Sequence, residues 1–163
     1  MQYDERFTAL ADKDLRNYWG FLSSINKKSE DCKFVLFSNC DCFSSVDCIQ
    51  RKYDADGDFT ECNVELKGRN VDISAYPDCV VDLSKIQSLI HLADQTNNAS
   101  YVVALYYQSA KLAIWRIDPD TEYKVENKTT LKYSAAPEQG QTVKQVVSLP
   151  LSDASIHSFT PIA

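Results

Sequence analysis

Residues 60–69 (TECNVELKGR) restrict the fold more than any other stretch, because apolar and polar side chains alternate through them with a period of two. Successive side chains of a strand point to opposite faces. Cys62, Val64 and Leu66 therefore form an apolar face, and Asn63, Glu65, Lys67 and Arg69 a polar one. Glu65 and Lys67 stand side by side on that polar face.

Residues 44–53 read as a second strand. They are joined to the first by 53–59 (YDADGDF), whose Asp56-Gly57 is a strong hairpin signal. The parity of the loop decides where Asp47 falls. A two-residue turn on Asp56-Gly57 pairs Asp47 with Leu66 and points it away from the polar face. An odd-length loop, or one bulge, pairs it with Glu65 or Lys67 and completes a cluster. The odd loop or bulge is the expectation.

An Asp at the start of one strand followed by Glu-x-Lys on the next is the pattern of the PD-(D/E)XK nuclease-like superfamily. The chain resembles that superfamily, with Asp47 matching the first acid, Glu65 the second and Lys67 the lysine. Val46 stands where a proline is usual, and Gly68-Arg69 resembles the endings of phage and bacterial members. The likeness extends, in order of elements, from about residue 12 to 117.

The resemblance implies an α/β (α+β) fold: a restriction-endonuclease-like αβββαββ core within a single domain spanning 1–163. It also implies metal-dependent hydrolysis of phosphodiester bonds in DNA. Asp47, Glu65 and the backbone carbonyl of Leu66 would hold Mg²⁺ or Mn²⁺, while Lys67 would orient the attacking water. Lys85, Gln87 and Arg69 are the expected substrate contacts, Gln87 and His91 standing where some subfamilies carry Gln-x-x-x-Tyr. Members often present a further acid from the first helix, for which Glu5 and Asp14 are candidates. Resolvase-like members act as dimers, which makes a homodimer the expectation. The alternative is a catalytically inactive member of the fold that binds nucleic acid or a protein partner.

Composition sets limits on these expectations. The 163 residues are 44% hydrophobic and 11% aromatic, which fits one folded domain. The formal charge of −6 disfavours a constitutive nucleic-acid binder, because phosphate contact normally accompanies a basic surface. It does not exclude a nuclease whose acids are partly neutralised by metal. No long apolar run and no export pattern stand out, so a cytoplasmic protein with no membrane segment is expected. The six cysteines include no Cys-x-x-Cys pair, and both histidines lie far from them; reduced thiols are expected, not a zinc set.

Read in order, residues 1–28 are helical, with Asp12 as a cap and Leu15, Tyr18, Trp19, Leu22 and Ile25 as the buried stripe. Residues 32–38 form a strand, followed by the hairpin; 70–74 prolong it or open a loop that ends at 76–78. Asp82 or Ser84 caps a second helix that buries Ile86, Leu89, Ile90 and Ala93. Lys85 near its start is disfavoured by the helix dipole unless it faces an anion. Residues 101–107 read as a strand covered on both faces, and 111–117 as its neighbour. Segments within 122–149 form an accessory hairpin in which Lys124, Lys128, Lys132 and Lys144 gather positive charge, as a substrate-guiding flap or a lysine-protected edge. Asp54 to Asp58 resembles the opening of a calcium loop, but both flanks read as strands, so a polar turn is expected.

Overall fold

A computed structural model describes residues 5–38, 46–131 and 137–163. The Glu5 side chain, Cys40, Cys42 and Lys132 lie outside what is described. Helix α1 (Glu5–Asn26) leads into β1 (Lys33–Ser38), β2 (Cys48–Tyr53) and β3 (Phe59–Arg69). After a short 3-10 turn, Ile73–Ala75, come β4 (Asp78–Asp82) and α2 (Leu83–Thr96). Strands β5 (Ala99–Tyr106), β6 (Lys111–Ile117), β7 (Val125–Leu131), β8 (Gln141–Pro150) and β9 (Ser155–Ser158) complete the fold. Strands β1-β2-β3-β5-β6-β9 form one sheet and β4-β8-β7 a second.

The meander β1-β2-β3 is antiparallel, and β3 runs parallel to β5 across the α2 crossover. Apart from the inserted β4, this is the αβββαββ order of a restriction-endonuclease-like core. Each face of the large sheet has its own cover. Tyr18, Phe21 and Leu22 of α1 pack on Cys62, Val64, Leu66, Val103 and Leu105. Ile86 and Leu89 of α2 pack on the opposite face, against Val102, Ala104 and Tyr106, together with Val81 and Val147 of the second sheet. Strand β5 is thus buried on both sides, as its apolar run requires. Each such side chain contributes about 1.5–3 kcal/mol by leaving water.

Several expectations need correction. Asp12 lies inside α1, because the helix begins well before it. Trp19 is 42% exposed, and Phe21 takes the buried place expected of it. The 70–78 segment is a 3-10 turn running into β4, a strand not expected from the sequence. Five residues (DCVVD) abut α2 with no turn signal between, and β4 exists only because β8 pairs with it, Cys79 opposite Leu149 and Val81 opposite Val147. The expected accessory hairpin is therefore two strands of a three-stranded sheet. Strand β9 was likewise unforeseen; its exposed residues carry no apolar alternation, and it adds to the edge of β6. The tail beyond it is tied to α1 through Asn17, which donates to the Ile162 carbonyl (3.2 Å) and accepts from the Ile162 amide (2.6 Å).

Candidate active site

The turn sets the register. Asp54 and Asp58 close the loop, the Asp54 amide donating to the Asp58 carbonyl (2.9 Å) and the Gly57 amide to the Asp54 carbonyl (3.2 Å). Gly57 takes φ +85°, a left-handed conformation that favours glycine. The Asp54 carboxylate accepts from the amides of Asp56 and Asp58, both at 3.0 Å. The loop between the closing pair is residues 55–57, an odd number, so Tyr53 faces Phe59 and Cys48 faces Val64. The ladder ends at that pair, with Asp47 one residue before it. The Asp47 amide reaches the Val64 carbonyl (3.1 Å), a bulge-like step as β2 enters the ladder. Asp56-Gly57 was the sequence signal for this turn; the Asp54–Asp58 closure that sets its parity is a finding of the structure.

The polar face of β3 is not solvated. Asn63 is buried and donates to Ser100 Oγ (3.2 Å), which in turn donates to the Leu89 carbonyl (2.8 Å). Glu65 is 1% exposed. An exposed sheet face of weak cross-strand polar pairs is thereby excluded. Glu65 Oε1 accepts from Lys67 Nζ at 2.6 Å. Lys85 Nζ lies 3.3 Å from Oε2, within ion-pair range, yet Oε2 has no hydrogen-bond donor. A buried carboxylate oxygen without a donor is costly to the fold.

Asp47 stands beside this pair. Its Oδ2 accepts from the Leu66 amide (2.7 Å). Burial raises its pKa from the ordinary 3.8 to about 6, with the Glu65 charge adding to the effect; the Leu66 amide and the two lysines work the other way. For Lys67, burial disfavours the ammonium, but the charge and hydrogen bond of Glu65, with Asp47 behind, hold its pKa above the ordinary lysine range. Along a strand the N–H and C=O of one residue point to the same side. The Leu66 carbonyl therefore faces the β2 side, where the pairing of β2 has already ended.

Asp14 is not a solvated helix residue. It accepts from the Gly68 amide (3.0 Å) and from Tyr107 Oη (2.6 Å). Burial raises its pKa despite those bonds and despite Lys13 and Lys67 nearby. Two carboxylates, Asp47 and Asp14, thus cap successive outward amides of β3 past the end of β2. A methyl group on Gly68 would lie 2.5 and 2.7 Å from the Asp14 oxygens. Gly68→Ala is expected to expel Asp14 and cost about 2 kcal/mol, the range for buried partners left unsatisfied. Thermal unfolding checks this: the same substitution in an Asp14→Ala background should cost far less.

The remaining expected contacts are distributed differently. Lys85 joins the cluster; Glu65 is the anion that makes a cation tolerable in the first turn of α2. Gln87 is exposed, about 200° around the helix from Lys85, so it is not brought to Glu65. His91 is exposed as well. Arg69 spends its guanidinium on the Val80 carbonyl (2.6 Å), joining the end of β3 to β4. Asp82 is the N-cap residue of α2 without a capping hydrogen bond; its carboxylate lies 3.3 Å from Lys144 Nζ instead. Cys48, Cys62 and Cys79 are buried thiols. Among the described residues, no helix is long and apolar enough to cross a membrane, and no three His, Cys, Asp or Glu side chains are grouped to hold a metal.

No protein-family model matches the chain, and no curated protein matches it. Among solved structures it is similar to Hjc, a Holliday junction resolvase of Archaeoglobus fulgidus, at 16% identity and a TM-score of 0.44, over 64% of this chain and 73% of that one. At that score the likeness carries no inference about activity.

Proposed function

We propose that this chain is a divalent-metal-dependent nuclease that cleaves phosphodiester bonds in DNA. The observation that carries this reading is the burial of Glu65 between two lysines, with one oxygen left without a donor beside an aspartate of raised pKa. Such an arrangement opposes stability, and perturbed groups of this kind concentrate at functional sites.

The donor set fits Mg²⁺ or Mn²⁺. Mg²⁺ keeps several waters and is commonly bound through one or two carboxylates. Asp47 and Glu65 would supply these, with the Leu66 carbonyl as a third oxygen, so no three-acid group is required. When bound, the metal supplies a Lewis acid that offsets charge on the phosphate. The chain's own contribution is positional. The Leu66 amide fixes Asp47, and Lys67 holds an ammonium 2.6 Å from Glu65, where it can orient a water and stabilise developing negative charge. Lys85 balances the second Glu65 oxygen. A homodimer acting on branched DNA is the form this reading takes by analogy alone.

A metal-independent binding protein is the second reading. It is favoured by the formal charge of −6 and by the lysines already facing Glu65. Heat denaturation during a Mg²⁺ or Mn²⁺ titration separates the two readings. At a hundredfold excess over Kd, the nuclease reading expects about 2.7 kcal/mol of added stability. That gain should vanish in Glu65→Ala. No gain in the wild-type chain, with no cleavage of duplex, branched or single-stranded oligonucleotides in Mn²⁺, would leave the second.

A further inference from the structure

We propose that the groove between the end of β3 and the β4-β8-β7 sheet binds one unpaired strand of nucleic acid. Tyr76 stacks on a base there, and Lys128 and Lys144 meet backbone phosphates. The inference rests on the nuclease reading for its substrate and names the path that substrate takes away from Lys67.

The groove has a volume of about 430 Å³ and starts at Lys67 itself. Arg69, Lys128 and Lys144 line it too, the two lysines from β7 and β8. Those two lysines are direct partners across β7 and β8. Like charges placed opposite each other weaken a sheet unless an anion lies between them. Asp82, 3.3 Å from Lys144, answers one of them, and Asp78 also lines the groove. Cations still outnumber acids here, against the acidic balance of the chain.

Tyr76 stands on the lip, 63% exposed, immediately after the 3-10 turn. A basic groove edged by an exposed aromatic ring is how proteins hold single strands, since every base offers a face for stacking. The volume is that of a small-ligand cleft, so a single strand enters where a duplex would lie across the mouth.

Fluorescence anisotropy of a labelled oligo-dT strand in EDTA, across a salt series, tests this with the full chain. Lys128→Ala/Lys144→Ala should lower the slope of log K against log salt by about 1.4, at roughly 0.7 for each single-strand phosphate no longer neutralised. Tyr76→Ala should weaken binding about tenfold, within the range for one stacked base. Lys128→Ala alone, at an exposed site, should lower the slope by about 0.7 without disturbing the fold. Wild-type affinity and slope in these variants, or no binding of oligo-dT by the wild-type chain, would overturn the proposal. Cleavage by a double variant that still binds as wild type removes the groove and keeps the nuclease. Lysine-dependent binding without metal-dependent cleavage keeps the groove and removes the nuclease.

Discussion

Glu65→Gln is expected to lower metal-dependent cleavage by about 10²- to 10³-fold, while circular dichroism shows the fold retained. The substitution keeps the shape of the side chain and removes its charge. The loss expected matches that of deleting one group that stabilises transition-state charge. Stability should fall too. Lys67 Nζ now bonds to Glu65 at 2.6 Å, and Lys85 stands 3.3 Å from the other oxygen. With a neutral amide between them, the two ammonium groups lose their bonded counter-charge and keep only Asp47 nearby. Breaking a buried ion pair from one side costs about 3–5 kcal/mol; because both lysines keep some exposure to water, the lower end applies. A second substitution separates chemistry from folding. Glu65→Gln/Lys67→Met removes the stranded cation and should recover much of the stability, because apolar replacements of a buried pair are often neutral. It should recover no cleavage. Retained cleavage in Glu65→Gln would remove Glu65 from the reaction.

Asp47→Asn should act in the opposite sense on stability. The pKa of Asp47 is raised from 3.8 to about 6 by burial and by Glu65. Between those two values the folded chain holds a proton that the unfolded chain has released. Stability from this group is therefore fully present below about pH 4 and lost as pH rises through 6. At pH 7 without metal, ionised Asp47 costs the fold about 3 kcal/mol. The amide of Asn cannot ionise, yet its oxygen can still accept from the Leu66 amide. The variant should thus be more stable than wild type by about that amount at pH 7 in EDTA, and close to wild type near pH 4. Its denaturant midpoint should lose the decline between pH 4 and 6. Divalent metal should narrow the gap at pH 7, because the ion stabilises the wild-type carboxylate and is held less well by a neutral amide. A variant less stable than wild type at pH 7 would show that the Asp47 charge serves the fold.

Much of the site was legible in local pattern. The period-two alternation of 60–69 assigns Glu65 and Lys67 to one face whatever the rest of the chain does, because that geometry belongs to any strand. Asp56-Gly57 marked the turn but left its parity open; the Asp54–Asp58 closing pair decided it, and with it the level at which Asp47 enters. Lys85 was visible as an anomaly, a cation at a helix start that needed an anion nearby.

Other features depend on partners distant in sequence. Strand β4 has no signal of its own, since its ladder partner β8 lies more than sixty residues on. The identification of Trp19 as core failed because helical spacing gives a stripe but not its width; Phe21 fits the space over Val64 and Leu66. Arg69 was expected to meet substrate; it also bonds the Val80 carbonyl of β4, a partner the sequence could not place beside it.

The amino-acid order alone determined which side chains share the polar face of β3, since alternation is a property of the covalent backbone. Only the packing of α2 and the second sheet decided that Asn63 and Glu65 on this face are buried. Burial depends on what lies above a residue, and it is burial that turns a glutamate between two lysines from a weak surface pair into a charge held against its hydration.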